Sequence, residues 1–258
     1  MDSYVGLDWG GSGWIAVIVT DDPEPSIDVA CYPSMLNAWR DNRDAETILV
    51  DSPIGLADDS RRDCDELARS VLGDDRSSVF FTPVREAVYE DEYQRAGDVH
   101  EAATGNRIST QAYHICPPIR DVDGVLREID AARDRIRESH PELCYVALAG
   151  ESGLPAKSTD EGLTRRRELL AAELNRPVAD VEAIETAAID DQPTHARRLR
   201  ADNRDDLLDA FVLAVTARGE TVSLPREPPT DRHGLPMEIV TPATASVRSI
   251  DDERQPNR

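Results

Sequence analysis

The first 19 residues, MDSYVGLDWGGSGWIAVIV, constrain the fold more than any other stretch of this chain. Apolar residues alternate with Gly6 and Asp8, and a β-branched run over residues 14–19 follows a Gly-Gly-Ser-Gly turn. This pattern predicts a strand, a tight turn and a second strand. Asp8 then ends a buried strand, beside glycines that let another molecule approach the backbone. Its carboxylate either caps the turn or belongs to a site.

Hydrophobic periodicity predicts further strands and helices along the chain. Residues 27–32 extend the antiparallel strands, and residues 47–50 form a short strand that ends at Asp51, where the chain turns at Pro53. The other predicted elements are helices over residues 61–72, 121–138, 159–174 and 207–217, the last capped by Asn203 or Asp205, and a strand over residues 143–148. The arginines at residues 165–167 are expected to be exposed, and the tail from Ser246 to be disordered.

Four aspartates are expected to meet in one crevice. Asp206 and Asp209 are three residues apart, so they share a face at the start of a helix whose continuation is strongly apolar. Helix-dipole complementation explains one of these acids, but it does not explain why two strands also end in Asp8 and Asp51. Clustered carboxylates repel one another unless a cation joins them. Oxygen ligands of this kind suit Mg²⁺ or Mn²⁺, and two such ions can support phosphodiester hydrolysis.

The charge balance points to a salty environment. The chain has 51 acidic and 29 basic residues, a net charge of −22 and a single lysine, Lys157. We expect such a surface in a halophilic cytoplasm, where salt screens the self-repulsion. An acidic shell of this origin does not argue against nucleic-acid binding, because a local groove can carry different charges.

Cysteine spacing and hydropathy indicate a cytoplasmic protein that does not enter the membrane. The four cysteines are far apart and show neither a zinc-binding spacing nor a disulfide framework. We expect buried thiols in a reducing compartment. No apolar run approaches membrane-spanning length, and the first residues lack the features of a signal peptide.

Several segments together resemble a known family. They are GLDWGGSGWIAV, DSPIGL, RRDCDELAR, SSVFFTPVREA, ATGNRISTQAYHI, EIDAARDRIRESHPELCYVALAG, AKSTDEGLTRRRELL and DDLLDAFVLAVTA. In this order they resemble domain of unknown function 429, a family of predicted ribonuclease H-like nucleases. The ending DDLLDA is also similar to that of Holliday-junction resolvases within the ribonuclease H-like superfamily.

The resemblance implies that Asp8, Asp51, Asp206 and Asp209 are catalytic metal ligands, with Asp8 bridging. Glu138 and Glu142 are second-tier candidates, and His140 either orients a carboxylate or caps a helix. The family commonly has a lysine where this chain has Pro118, so any phosphate contact made there would come from Arg120 or another group.

The candidate substrate contacts are basic and polar residues. Arginines can contact a nucleic-acid backbone whatever its sequence, although a solvated surface explains each of them as well. The candidates are Arg61, Arg107, Gln111 and Arg120. The glycines of the first hairpin could cradle a phosphate, but a simple turn explains them better.

These observations predict a single α/β domain over residues 1–245, of ribonuclease H-like type. Its mixed five-stranded sheet has three antiparallel strands first, helices on both faces and a helical insertion over about residues 57–118, after the fourth strand. The predicted function is divalent-metal-dependent hydrolysis of DNA or RNA. The alternatives are nucleotide binding, as in the actin and sugar-kinase relatives of this fold, and a non-catalytic nucleic-acid-binding protein.

Overall fold

A computed structural model describes residues 1–21, 25–190 and 204–244. Two predictions lie outside these ranges, namely the disordered tail from Ser246 and the helix cap at Asn203. In the part of the chain that the structure describes, no helix is long and apolar enough to cross a membrane.

The centre of the molecule is a mixed five-stranded sheet with the order β3-β2-β1-β4-β5. β1, β2 and β3 are antiparallel, and β4 and β5 run parallel to β1. The strands are β1 (Asp2–Trp9), β2 (Trp14–Asp21), β3 (Pro25–Tyr32), β4 (Thr47–Val50) and β5 (Ile136–Glu138). The predicted fold class is confirmed, because this is the strand arrangement expected of a ribonuclease H-like α/β fold.

Helices pack on both faces of this sheet and form the insertion after β4. In chain order, they are α1 (Met35–Asn42), α2 (Asp63–Leu72), a 3-10 helix (Gly73–Ser78), α3 (Arg85–Val88), α4 (Tyr93–Thr104), α5 (Thr110–His114), α6 (Cys116–Glu128), α7 (Asp130–Arg133), α8 (Pro141–Ala149), α9 (Asp160–Glu173), α10 (Val178–Asp190) and α11 (Arg204–Arg218). A separate two-stranded sheet joins β6 (Thr221–Leu224) to β7 (Ile239–Pro242). One face of the large sheet packs against α8 and α11, and the other packs against α1 and α6.

The predicted helix over residues 121–138 and the predicted strand over residues 143–148 were wrong. The helix ends at Glu128, and the fifth strand is β5, which has only three residues. Residues 143–148 lie inside α8, which begins at Pro141. This helix is buried on nearly all sides, so its sequence is apolar throughout and lacks the 3.6-residue period that would distinguish it from a buried strand.

Gly6 allows α11 to pack directly on β1. A Cβ atom at this position would lie 2.0 Å from the carbonyl oxygen of Ala210 and 2.4 Å from the amide nitrogen of Ala214. No side chain fits in that space, so the helix backbone lies against the strand. The buried interior of α11, Leu207 to Ala217, then covers the sheet as the apolar sequence predicts.

The expectation that the arginines at residues 165–167 are exposed was also wrong. Arg166 is fully buried, and both oxygens of Glu142 accept from its Nη2, at 2.5 and 2.9 Å. Arg167 donates to Glu185 at 2.6 Å. Their long side chains reach acidic partners on other helices, and an arginine side chain can be buried when it is paired in this way.

Candidate active site

A crevice of about 270 Å³ opens where β1 and β4 end and α11 begins. Parallel strands of an open α/β sheet place their carboxyl ends at the edge where ligands bind. All four predicted aspartates line this crevice, namely Asp8, Asp51, Asp206 and Asp209. The structure therefore brings together the residues that three separate segments supply, while their role as metal ligands stays a prediction.

Strand register places Asp8 beside Asp51. Leu7 pairs with Val50 in the parallel β1–β4 ladder, and the amide of Asp51 donates to the carbonyl of Leu7 at 2.9 Å. The next residues along both strands are the two aspartates. The two carboxyl groups are close enough for each to affect the pKa of the other.

Helix α11 supplies the other two acids. Asp206 lies in its first turn and Asp209 one turn further, on the same side of the helix. A Cβ atom on Gly10 would lie 3.7 Å from Oδ2 of Asp206, so this carboxylate sits beside the turn between β1 and β2. Close packing at Gly6 is what brings the start of α11 to the end of β1.

Burial makes the carboxyl groups of Asp8, Asp51 and Asp209 hard to ionise. Burial, followed by the charges of Asp51, Asp209 and Asp206, raises the pKa of Asp8 well above its usual range. Burial also raises the pKa of Asp51, although the nearby His140 and Lys157 oppose it. The pKa of Asp209 rises to about 7, again because of burial. A positive charge close to such acids favours their ionised form.

Lys157 provides a cation within the crevice, and sequence reasoning missed it. Its Nζ lies 2.6 Å from Oδ2 of Asp209 and 3.9 Å from Oδ2 of Asp205. Desolvation lowers the pKa of Lys157, but the neighbouring carboxylates, Asp209 first, raise it by more, so the group stays charged. One signal could have found it: it is the only lysine among 258 residues, and it lies just before Thr159, the N-cap of α9.

A buried ion-pair network forms the floor of the crevice. Glu138, a second-tier candidate, lines the crevice, and its two oxygens each accept from Arg62 at 2.7 Å. Arg62 also donates to Asp65 at 3.1 Å, and the amide of Ile54 donates to Glu138 at 2.6 Å. Burial raises the pKa of Glu138 to about 7, although Arg62 opposes that shift. The carboxylate of Glu138 therefore holds the segment after β4 in place through Arg62 and the amide of Ile54.

The other two second-tier candidates lie in different surroundings. His140 lines the crevice, and its charge opposes the rise in the pKa of Asp51. Its Nε2 lies 3.4 Å from the carbonyl oxygen of Ser78, and its buried Nδ1 has no partner among the described residues. His140 occupies the N-cap position of α8 without making a side-chain cap bond. Glu142 is outside the crevice lining and pairs with Arg166.

None of the four predicted substrate contacts lines the crevice. Arg61 is exposed, with its guanidinium 3.9 Å from the centre of the Phe81 ring, whereas its neighbour Arg62 points into the crevice floor. Arg107 pairs with two acids on α4, Arg120 pairs with Asp91, and Gln111 is exposed on α5. Pro118 and Lys157 line the crevice, but Arg120 does not.

The donor atoms of the crevice suit a hard divalent cation. Four carboxylates supply the oxygen ligands that Mg²⁺ and Mn²⁺ prefer, and the buried Oδ1 of Asp209 has no hydrogen-bond partner in the described chain. Among the described residues, no three His, Cys, Asp or Glu side chains already surround one metal position. Instead, Oδ2 of Asp209 accepts from Lys157 at 2.6 Å, and Oδ1 of Asp8 accepts from the amide of Trp9 at 2.7 Å. These residues fit a metal by their chemistry, and side-chain rotation would be needed to hold it.

Comparisons with known proteins are consistent with the resemblance of the sequence segments. The model of a family described as "Protein of unknown function (DUF429)" matches residues 6–230. No curated protein and no solved structure matches the chain significantly. The matched range includes the second half of β1, the other four strands of the large sheet, α11 and all four aspartates of the crevice.

Proposed function

The chain belongs to the DUF429 family, and we propose that it is a divalent-metal-dependent nuclease that hydrolyses phosphodiester bonds in nucleic acid. One observation carries this proposal: Asp8, Asp51, Asp206 and Asp209 converge from two parallel strands and a helix on one crevice. A purely structural cluster of four buried or half-buried acids would cost stability without return, because their charges repel one another.

The carboxylates of Asp8, Asp51, Asp206 and Asp209 would hold Mg²⁺ or Mn²⁺. The chemistry that such a metal would supply is activation of a water molecule and stabilisation of the leaving oxygen of a phosphodiester. The chain's own residues contribute position and charge. The β1–β4 ladder positions Asp8 and Asp51, and in the absence of a metal ion the ammonium group of Lys157 balances the charge of Asp209.

The crevice wall supports a nucleic-acid substrate. Trp9 and Phe80 line the crevice together with the acids, and Phe80 is 39 % exposed. Aromatic side chains offer stacking surfaces to bases of any sequence. A crevice lined by aspartates and by aromatic side chains therefore suits a nucleotide unit within a chain of DNA or RNA.

The geometry of the first hairpin does not favour the nucleotide-binding alternative. The amide of Gly10 donates to the carbonyl of Gly13 at 3.0 Å, so these glycines close a turn. Within residues 1–21, 25–190 and 204–244, the other sheet is a two-stranded one, unlike the second domain of similar build that actin-like proteins use. A non-catalytic nucleic-acid-binding role remains an outcome of the test below.

The proposal includes a halophilic cytoplasm as the working environment. The net charge of −22 and the near absence of lysine support it. At molar salt the Debye length is about 3 Å, so the acidic surface would repel a polyanionic substrate only weakly. Assays are therefore best made in molar KCl.

The experiment compares the wild type with Asp8→Asn and with Asp59→Asn, which removes an exposed acid outside the crevice. Each protein is incubated with Mn²⁺ or Mg²⁺ and with single-stranded, duplex, hybrid and branched DNA and RNA. We expect cleavage by the wild type and by Asp59→Asn, and a loss of at least about 100-fold in Asp8→Asn, because a metal ligand is removed. Chelation should stop the reaction.

Two results would overturn the nuclease proposal. The first is that the wild type cleaves none of the substrates, and the second is that Asp8→Asn cleaves as fast as the wild type. Retained binding of an oligonucleotide without cleavage would identify the non-catalytic alternative.

A further inference from the structure

We propose that Lys157 is a tethered cation which exchanges with the divalent metal: its ammonium group holds Asp209 until a metal ion binds, and it then leaves the crevice. The inference rests on the proposed function, because the metal is the one expected at the four aspartates. It adds that metal binding requires a side chain of this protein to be displaced.

The ammonium group of Lys157 contacts a carboxylate oxygen that a bound metal ion would need as a ligand. Nζ of Lys157 is 2.6 Å from Oδ2 of Asp209, whose side chain is only 4 % exposed. A metal ion binds a carboxylate oxygen at about 2.0–2.2 Å. The same oxygen cannot hold both, and a metal on the other oxygen of Asp209 would lie a few Å from the ammonium, where two cations in a poorly solvated crevice repel strongly.

Lys157 also has a route out of the crevice. It lies in the segment between α8 and α9, before Thr159, and its side chain is 44 % exposed. The flexible four-carbon stem can carry the ammonium group into water without moving the backbone. The loss of the ion pair is then offset by hydration of the ammonium and by the metal's contact with Asp209.

The ion pair of Lys157 and Asp209 differs in its cation from the buried ion pairs of the protein, which use arginine. The fully buried cations Arg62, Arg85 and Arg166 use planar guanidinium groups that donate to acids and carbonyl groups at several points. Such forks are hard to displace. Of the 29 Lys and Arg residues in this chain, 28 are arginines. The exception is Lys157, which carries a single point charge and lies at the crevice beside Asp209. This is the chemistry expected of an exchangeable cation.

The first test measures metal affinity rather than cleavage. Mg²⁺ is titrated into the wild type, Lys157→Gln and Lys157→Arg at constant ionic strength, and binding is followed by calorimetry and by the rise in melting temperature. If the ammonium occupies the site in most molecules, its removal should lower the half-saturating Mg²⁺ concentration by about tenfold or more. Lys157→Arg should bind no more tightly than the wild type. Arg43→Gln, which removes an equal charge from an exposed position, should match the wild type.

The second test follows the lysine itself. Reductive methylation with ¹³C-formaldehyde keeps the charge of the amine and labels Lys157 and the N-terminus alone, since the chain has no other lysine. We expect the lysine methyl resonance to shift as Mg²⁺ is added and to saturate together with binding. In Asp209→Asn the resonance should lie near the metal-saturated position before any metal is added.

The inference is overturned if Lys157→Gln has the half-saturation of the wild type, or if the methyl resonance does not move when metal saturates the protein. Its failure is distinct from failure of the nuclease proposal. Tighter metal binding by Lys157→Gln in a protein that cleaves nothing would reject the nuclease and retain the exchange. Metal binding by neither protein would reject both.

Discussion

Gly6 of β1 and Ala210 of α11 are in direct backbone contact, since a Cβ atom on Gly6 would lie 2.0 Å from the carbonyl oxygen of Ala210. Asp8 lies two residues after Gly6 on the same face of the strand, and Asp209 immediately precedes Ala210. The close approach of strand and helix therefore also sets the separation between the acids of the crevice.

Gly6→Ala should destabilise the protein by about 1–3 kcal/mol or more, because the backbone of α11 must move to admit a methyl group. The free energy of unfolding can be measured with guanidinium chloride. Gly124→Ala is the matched control, because no atom lies within 4 Å of a Cβ built there and the residue is inside α6. It should stabilise the protein by about 1 kcal/mol. Equal effects of the two substitutions would contradict the packing argument.

Arg62→Met should reduce the free energy of unfolding by about 3–5 kcal/mol, because it leaves the buried carboxylates of Glu138 and Asp65 without their cation. Arg107→Gln, which removes an exposed arginine that also pairs with two acids, should cost less than about 1 kcal/mol. The measurement is chemical denaturation at pH 7. Adding Glu138→Gln and Asp65→Asn to Arg62→Met should recover part of the loss, and the absence of any recovery would argue against the charge-based explanation.

In the presence of a chelator, the protein should become less stable as the pH rises from about 4 to 7. The pKa of Asp209 is raised from 3.8 to about 7 in the folded state, so the folded protein binds more protons than the unfolded chain in this window. Its stabilising contribution is complete below pH 3.8 and is lost as the pH rises through 7. One such group changes the free energy of unfolding by up to about 1.4 kcal/mol per pH unit. Glu138 acts in the same direction.

Asp209→Asn should flatten this dependence, whereas Asp59→Asn, at an exposed position, should retain it. Melting temperatures recorded at constant molar KCl from pH 4 to pH 8 provide the comparison. An unchanged slope in Asp209→Asn would show that this carboxyl group does not carry the raised pKa.

Local patterns were sufficient for the parts of the site that lie on regular elements. The alternation around Gly6 and Asp8, and the turn at Pro53 after Asp51, predicted two acids at strand ends. The three-residue spacing of Asp206 and Asp209 predicted two acids on one face of α11. These predictions depend on periods of 2.0 and 3.6 residues, which a sequence displays directly.

The same reasoning failed where an apolar run had no period or a side chain was long. Residues 143–148 form a buried helix that cannot be distinguished by periodicity from a buried strand. Arg62 enters the crevice floor while Arg61 remains exposed, although both are arginines next to each other. Nothing in their local sequence decides which guanidinium group finds Glu138.

The sequence by itself therefore determined the first four strands of the large sheet and the placement of four acids at the ends of elements. Only the tertiary structure decided which charges meet. Lys157 reaches Asp209 from 52 residues away, and Arg62 reaches Glu138 from 76 residues away. The physical reason is that backbone periodicity sets the face on which a residue lies, whereas the partner of a long charged side chain depends on how distant segments pack.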